Sequence, residues 1–173
     1  EHARSRYRSS AHPEASCLKL SEVLTESAVL LELSELDKWE LIEALTDSLV
    51  ASGQIEAGHR DSVLEALVHR ERSMSTGMEN GIAIPHTSVD QVDRTAVALG
   101  IVREGLDFEA IDGRPTQLVI LLVNPSNRTK AHIRTLAEIA RLLSSAELRA
   151  ALHEAPTALA ALEKIREAEA AVT

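Results

Sequence analysis

The chain has 173 residues, of which 45% are apolar and 26% charged, proportions typical of one globular domain rather than a disordered or collagen-like chain. Its 18 Lys and Arg against 27 Asp and Glu give a net charge of −9, and only 2% of the residues are aromatic. Repulsion of phosphate backbones and the scarcity of rings for base stacking exclude nucleic acid as an expected partner.

Two further features constrain the compartment and any contact with membranes. The longest strongly apolar run, residues 118–123, is far shorter than the roughly 20 residues of a membrane helix, so no membrane insertion is expected. Cys17 is the only cysteine, which excludes an intramolecular disulfide and a cysteine zinc cluster and favours a reducing compartment. We therefore expect a cytoplasmic protein.

Residues 1–17 are predicted to form a flexible tail. They carry arginines and serines but almost no aliphatic side chains, so burial cannot offset the entropy lost on ordering them. The folded domain is expected to begin at Leu18, and the apolar run 28–33 predicts a short strand.

Two helices are predicted next. Asp37 is the expected N-cap of a helix whose apolar residues recur at helical spacing up to Gly53. A second helix is predicted over residues 56–73, with Arg70 in its last turn, where a cation suits the negative end of the helix dipole. A polar, glycine-bearing loop, residues 75–81, follows it.

Strands and turns dominate the middle of the chain. The short apolar run 82–84 is stopped by Pro85. Strands are predicted over residues 95–102 and 116–123, with an irregular excursion over 106–113 between them.

The last third of the chain is predicted to be helical. A first helix is expected to be capped near Thr129, and two more helical segments begin near residues 146 and 156. The inner face of the first helix is predicted to carry Ile133, Leu136, Ala140 and Leu143. Strands interleaved with helices indicate a single α/β domain.

Three side chains could carry chemistry. His86 follows a strand end at Pro85, whose fixed φ makes the local backbone stiff, and an imidazole can move protons, bind metals or attack phosphorus. His132 falls in the first turn of its helix, where backbone N–H groups favour an anion. Arg70 offers a permanently charged, bidentate donor for phosphoryl oxygens. The spacing alone does not show that the three side chains converge.

Simpler interpretations exist for each of these residues. A histidine after a proline is commonly a surface or core residue, and an arginine at a helix end commonly complements the dipole. A zinc site at His86 and His132 lacks a third ligand nearby in sequence. The remaining histidines are predicted to lie on the surface: His2, His12, His59, His69 and His153.

Several short segments resemble a known family. Arg70-Glu71, Ser75-Thr76-Gly77 and Asn80-Gly-Ile-Ala-Ile-Pro-His86 are similar to the active-site stretch of the fructose, mannitol and nitrogen-regulatory class of enzyme IIA domains of the phosphoenolpyruvate:sugar phosphotransferase system. The resemblance continues through Phe108, Asp112-Gly113, the strand at 118–125 and the helix that holds His132, and it covers about residues 18–168. It implies a domain over that range with a C-terminal tail at 169–173, and a mixed sheet of about five strands with helices packed on both faces.

The resemblance also implies roles for the three side chains. His86 would accept a phosphoryl group from a histidine-containing phosphocarrier protein and pass it to an enzyme IIB component, while His132 and Arg70 would stabilise the phosphoryl group. Transfer between two histidines requires neither a metal nor another cofactor. Thr76 would either place a hydroxyl near the site or hold the loop.

Two outputs remain open at this stage. The chain could relay phosphate onward, or it could be a regulatory binding module that phosphorylation of His86 switches without onward transfer. The absence of a membrane segment and of a fused transporter favours the nitrogen-regulatory type, whose partner would be a regulatory target protein.

Overall fold

The computed structural model of the chain describes residues 18–172. The helices are α1 (Leu20–Val23), α2 (Lys38–Ala51), α3 (Arg60–Ser73), α4 (Thr129–Leu143), α5 (Ala146–Glu154) and α6 (Ala158–Ala170). The strands are β1 (Val29–Leu30), β2 (Ile82–Ala83), β3 (His86–Val89), β4 (Ala96–Leu106) and β5 (Thr116–Pro125). The predicted tail, residues 1–17, lies outside the described residues, and no helix within them is long and apolar enough to cross a membrane.

The five strands form one mixed sheet in the order β1-β4-β5-β2, with β3 also paired to β5. The β4–β5 pair is antiparallel and the other pairs are parallel. Consecutive residues of β4 and β5 are buried, and since neighbouring side chains of a strand point to opposite faces, both faces of the sheet are covered. The predicted α/β class and sheet of about five strands are confirmed.

One interrupted edge brings the chain to His86. Ile82 in β2 pairs with Leu118, and His86 in β3 pairs with Leu122, so both short strands run along the same side of β5. Pro85 lies between them and has no N–H to give to the ladder. Its carbonyl still accepts the Leu122 N–H at 3.0 Å, which keeps the edge in register as β3 begins. The sequence analysis did not predict β3, because the residues of this strand are mostly polar.

The predicted start of α2 is confirmed. The Asp37 carboxylate accepts the backbone N–H groups of Trp39 and Glu40, and the Glu40 carboxylate accepts the Asp37 N–H, which completes a capping box. The second predicted helix begins later than expected, because residues Ala57–His59 form a 3-10 turn ahead of α3.

Three sequence predictions for the other elements are corrected. The run 28–33 forms a strand only at Val29–Leu30. Thr129 is not the cap of α4, because the cap position belongs to Arg128, which makes no side-chain capping bond. Ile133 is 60% exposed rather than internal. The buried residues of α4 are Thr135, Ile139 and Leu143, spaced four apart, so the inner face is rotated away from Ile133.

The two ends of the described chain meet. The Glu169 carboxylate in α6 accepts hydrogen bonds from the backbone N–H and the hydroxyl of Ser21 in α1. The domain limits at 18 and 168 stay a prediction, and α6 continues as a helix to Ala170.

Thr116 provides a test of the packing. Its hydroxyl is buried at the start of β5 and has no hydrogen-bond partner among the described residues. Thr116→Val removes an unsatisfied polar group at nearly constant shape, so we expect the free energy of unfolding to rise by about 1 kcal/mol. Urea denaturation measures this change, and a loss of stability would show that the hydroxyl is in fact satisfied.

Candidate active site

Two imidazole rings meet at the edge of the sheet. His86 is the first residue of β3, and His132 lies in the first turn of α4. Their ring centroids are 5.3 Å apart and their planes are inclined by 50°. Both side chains are partly buried. The structure therefore brings together the two histidines that the sequence analysis selected.

The hydrogen bonding of His86 determines which ring nitrogen is free. Its Nδ1 lies 2.7 Å from the carbonyl oxygen of Ile84. A carbonyl can only accept, so in the neutral ring Nδ1 carries the hydrogen and Nε2 carries an available lone pair. Burial lowers the pKa of His86 below its usual 6.5, and the positive charge of Arg70 lowers the same pKa further. The Ile84 carbonyl opposes both effects without reversing them, so the ring is neutral at pH 7.

His132 has partners of its own. Its Nδ1 is hydrogen bonded to the side-chain amide nitrogen of Asn124 near the end of β5. The amide oxygen of Asn124 accepts a 2.8 Å hydrogen bond from the hydroxyl of Thr95, the residue before β4. Burial lowers the pKa of His132, and the neighbouring His86 lowers it further. Sequence analysis missed Asn124 and Thr95, because single polar residues at strand ends carry no distinctive pattern.

Arg70 completes the group. It lies in the last turn of α3, and its Nη1 donates a 3.0 Å hydrogen bond to the carbonyl of Met74. That bond holds the guanidinium at the end of the helix, and the effect of its charge on the pKa of His86 places it within electrostatic reach of the ring. The two histidines are thus in ring contact, and Arg70 acts on His86 through its charge.

A buried ion pair supports the loop that leads to the site. The Glu71 carboxylate lies 2.8 Å from the Lys38 ammonium, with side chains 1% and 6% exposed. It also accepts the backbone N–H of Thr76 at 2.9 Å and the Thr76 hydroxyl at 2.6 Å. Of the two predicted roles for Thr76, the structure supports holding the loop. Lys38 could have been noticed in the sequence, because a cation in the first turn of a helix interacts unfavourably with the helix dipole. Its position there indicates a specific anionic partner.

The other described histidines do not join the cluster. His69 is exposed on α3, and the Nδ1 of His59 lies 3.9 Å from the Glu56 carboxylate. His153 is partly buried, and its Nε2 lies 2.9 Å from the Arg103 carbonyl oxygen. His2 and His12 fall outside the described residues.

Comparison with known proteins assigns the family. Residues 22–168 match the family described as "Phosphoenolpyruvate-dependent sugar phosphotransferase system, EIIA 2". The chain belongs to this family. The segment that resembled such domains in sequence is thus part of an enzyme IIA domain that spans nearly all the described residues.

Relatives of this enzyme IIA domain carry two kinds of name. The chain is 31% identical to the "PTS system fructose-specific EIIABC component" of Bacillus subtilis, over 87% of this chain but only 23% of that relative's length. It is 33% identical to a "Nitrogen regulatory protein" of Pseudomonas aeruginosa, over 82% of this chain and 90% of the relative. The crystal structure of nitrogen regulatory protein IIA-Ntr from Neisseria meningitidis superimposes with a TM-score of 0.76 at 29% identity, covering 84% of this chain and 97% of that one.

The buried ion pair gives a stability prediction with a matched control. Glu71→Gln leaves the Lys38 ammonium without its buried counterion, so we expect unfolding to become easier by about 3 kcal/mol. Glu109 is the other carboxylate of Lys38, at 3.1 Å, but its side chain is 70% exposed. Glu109→Gln is therefore expected to cost less than about 1 kcal/mol. Equal losses in urea denaturation would contradict the assignment of Glu71 as the structural partner.

The two lowered histidine pKa values predict how stability depends on pH. The pKa values of His86 and His132 are lower in the folded chain than in the unfolded chain, so on acidification the unfolded chain takes up protons first. The free energy of unfolding therefore decreases as the pH is lowered through 6.5 toward the folded pKa values. Well above 6.5, where the histidines of both the folded and the unfolded chain are neutral, neither group contributes a slope. Urea unfolding between about pH 7.5 and pH 5 should show a shallower acid loss in the double variant His86→Gln, His132→Gln. An unchanged slope would mean that the rings titrate normally.

Proposed function

We propose that the chain is a phosphoryl carrier that accepts a phosphoryl group on Nε2 of His86 from a histidine-containing phosphocarrier protein. The observation that carries this proposal is the hydrogen bond from Nδ1 of His86 to the Ile84 carbonyl, together with a pKa lowered by burial. These features give a neutral, oriented imidazole whose Nε2 lone pair can attack phosphorus.

The transfer exchanges one phosphorus–nitrogen bond for another. The lone pair of His86 Nε2 forms the new bond as the bond between phosphorus and the carrier's histidine breaks, and the electron pair of that bond stays on the carrier's imidazole. The hydrogen stays on Nδ1 of His86, where it is hydrogen bonded to the Ile84 carbonyl oxygen, so no proton has to leave before attack. Because the bonds exchanged are alike, catalysis rests on in-line placement and charge stabilisation.

Arg70 and His132 stabilise the phosphoryl group during this exchange. The guanidinium neutralises charge on the phosphoryl oxygens, and its fixed charge lies within electrostatic reach of His86. His132 lies against the accepting ring and gives a hydrogen bond to the same oxygens.

The surface around these side chains suits a protein partner. Met74, whose carbonyl holds Arg70, is 70% exposed, and Ile133, the neighbour of His132 in the chain, is 60% exposed. Exposed apolar side chains beside a reactive site are typical of interaction surfaces, and the net charge of −9 favours a carrier with a basic face.

After acceptance, the phosphoryl group passes to an enzyme IIB component or serves regulation, with the nitrogen-regulatory type favoured. One relative is named as an EIIABC component and another as a nitrogen regulatory protein. The fold likeness to IIA-Ntr, with a TM-score of 0.76, supports the regulatory type. The site lies in a reducing, cytoplasmic setting under this proposal.

Intact-mass spectrometry after incubation with phosphoenolpyruvate, enzyme I and the phosphocarrier protein tests the acceptor. We expect the native chain to gain an acid-labile group of about 80 Da, His86→Ala to gain nothing, and His132→Ala and Arg70→Ala to gain it more slowly. His69→Ala, an exposed histidine on the same helix as Arg70, is the matched control and should behave as wild type. Phosphorylation of His86→Ala, or none of the native chain, would refute the proposal.

A chase with an unphosphorylated enzyme IIB component separates the two outputs. Loss of the phosphoryl group from His86 to that component shows a relay. Retention on His86, with altered binding of a target protein, shows a phosphorylation-switched regulatory module without onward transfer.

A further inference from the structure

We propose that Asn124, held by Thr95, is a positioning residue that fixes the tautomer of His132, so that its Nε2–H is presented to the phosphoryl group. This inference rests on the proposed function and adds to it a pair of residues outside the three-residue site. It concerns how His132 is made a hydrogen-bond donor, and one of its tests, nitrogen-15 NMR of the unphosphorylated chain, does not depend on phosphoryl transfer.

Asn124 occupies a central place between the two neighbouring strands. It lies on β5, pairs with Ser88 of β3 in the ladder, and is only 2% exposed. On the opposite side, the Thr95 hydroxyl donates to the Asn124 amide oxygen at 2.8 Å, just before β4 begins. A buried amide needs hydrogen-bond partners for both its oxygen and its nitrogen. The partner of the Asn124 amide nitrogen is His132.

The direction of these hydrogen bonds determines where the hydrogen of His132 lies. With its oxygen occupied by Thr95, the Asn124 amide presents its N–H to Nδ1 of His132. Nδ1 then accepts, so the neutral ring carries its hydrogen on Nε2. The alternative tautomer would turn a bare lone pair toward phosphoryl oxygens and repel them.

The result is a complementary pair of neutral imidazoles. The Ile84 carbonyl fixes the hydrogen of His86 on Nδ1 and leaves Nε2 as the nucleophile, whereas Asn124 fixes the hydrogen of His132 on Nε2 and makes it a donor. The rings lie 5.3 Å apart, so one can supply electrons to phosphorus while the other supplies a hydrogen bond to its oxygens.

The variant Asn124→Asp reverses this arrangement. A carboxylate only accepts, so neutral His132 must move its hydrogen to Nδ1 and expose a bare Nε2. When the pH falls and His132 becomes an imidazolium, Nε2 regains a hydrogen. We therefore expect phosphoryl transfer in this variant to be about 100-fold slower than wild type at high pH and to recover on acidification.

The pH profile of Asn124→Asp also depends on the charged groups that shift the pKa values of the two rings. His86 on β3 acts on His132, and Arg70 and Glu71 on α3 act on His86. The wild-type enzyme should show no matching recovery, because neutral His132 is already a donor. A wild-type pH profile for Asn124→Asp would overturn the proposal.

Nitrogen-15 NMR of the two rings gives a direct readout in the unphosphorylated chain. The proposal expects His132 in the native chain to be protonated on Nε2 and bare on Nδ1, and Asn124→Asp to show the reverse at high pH. A native His132 protonated on Nδ1 would overturn the proposal even if phosphorylation of His86 proceeds as expected. Conversely, failure of phosphorylation with the expected spectrum would reject only the proposed function.

Two conservative variants complete the test. Thr95→Val removes the hydroxyl that orients the amide, so we expect both His132 tautomers in its spectrum and transfer slowed about tenfold, less than in Asn124→Asp. Thr116→Val is the matched control, because it removes a buried threonine hydroxyl from β5 that has no hydrogen-bond partner within residues 18–172. It should leave both the spectrum and the rate unchanged. A Thr95→Val spectrum identical to wild type would remove Thr95 from the proposal.

Discussion

The 2.7 Å hydrogen bond between Nδ1 of His86 and the carbonyl of Ile84 is the interaction on which the site depends. It spans only two residues, and Pro85 between them limits the backbone conformations that could break it. The same proline interrupts the edge strand, so His86 opens β3 with its ring beside His132. A local backbone restraint therefore leaves Nε2 as the nitrogen of His86 with a free lone pair, and burial lowers the pKa of the ring, which favours its neutral form.

Buried charge holds the surroundings of this restraint in place. Glu71 follows Arg70 on α3 and ties the helix end both to Lys38 on α2 and to Thr76 in the loop before β2. Separating the two charges of such a buried pair would leave each without its counterion, which is unfavourable, so the pair opposes local opening of this region. The helix end that presents Arg70 and the loop that leads to His86 are thus fixed by one carboxylate.

Sequence reasoning predicted the parts of this structure that depend on local pattern. The N-cap at Asp37, the buried run in β5 and the stiff backbone before His86 all follow from neighbouring residues. Contacts between distant segments were not predictable, because Asn124 and His132 form their hydrogen bond only after β5 and α4 pack. The exposed Ile133 shows the same limit, since the orientation of α4 on the sheet decides which apolar residue is internal.

The measurement that tests the account most directly is the site of phosphorus attachment in the phosphorylated chain. Long-range nitrogen-15 and phosphorus-31 NMR should show phosphorus bonded to Nε2 of His86, while Nδ1 keeps its hydrogen and donates it to the Ile84 carbonyl. Phosphorus on Nδ1 of His86, or on His132, would contradict the account, because the backbone restraint would then not select the nucleophile.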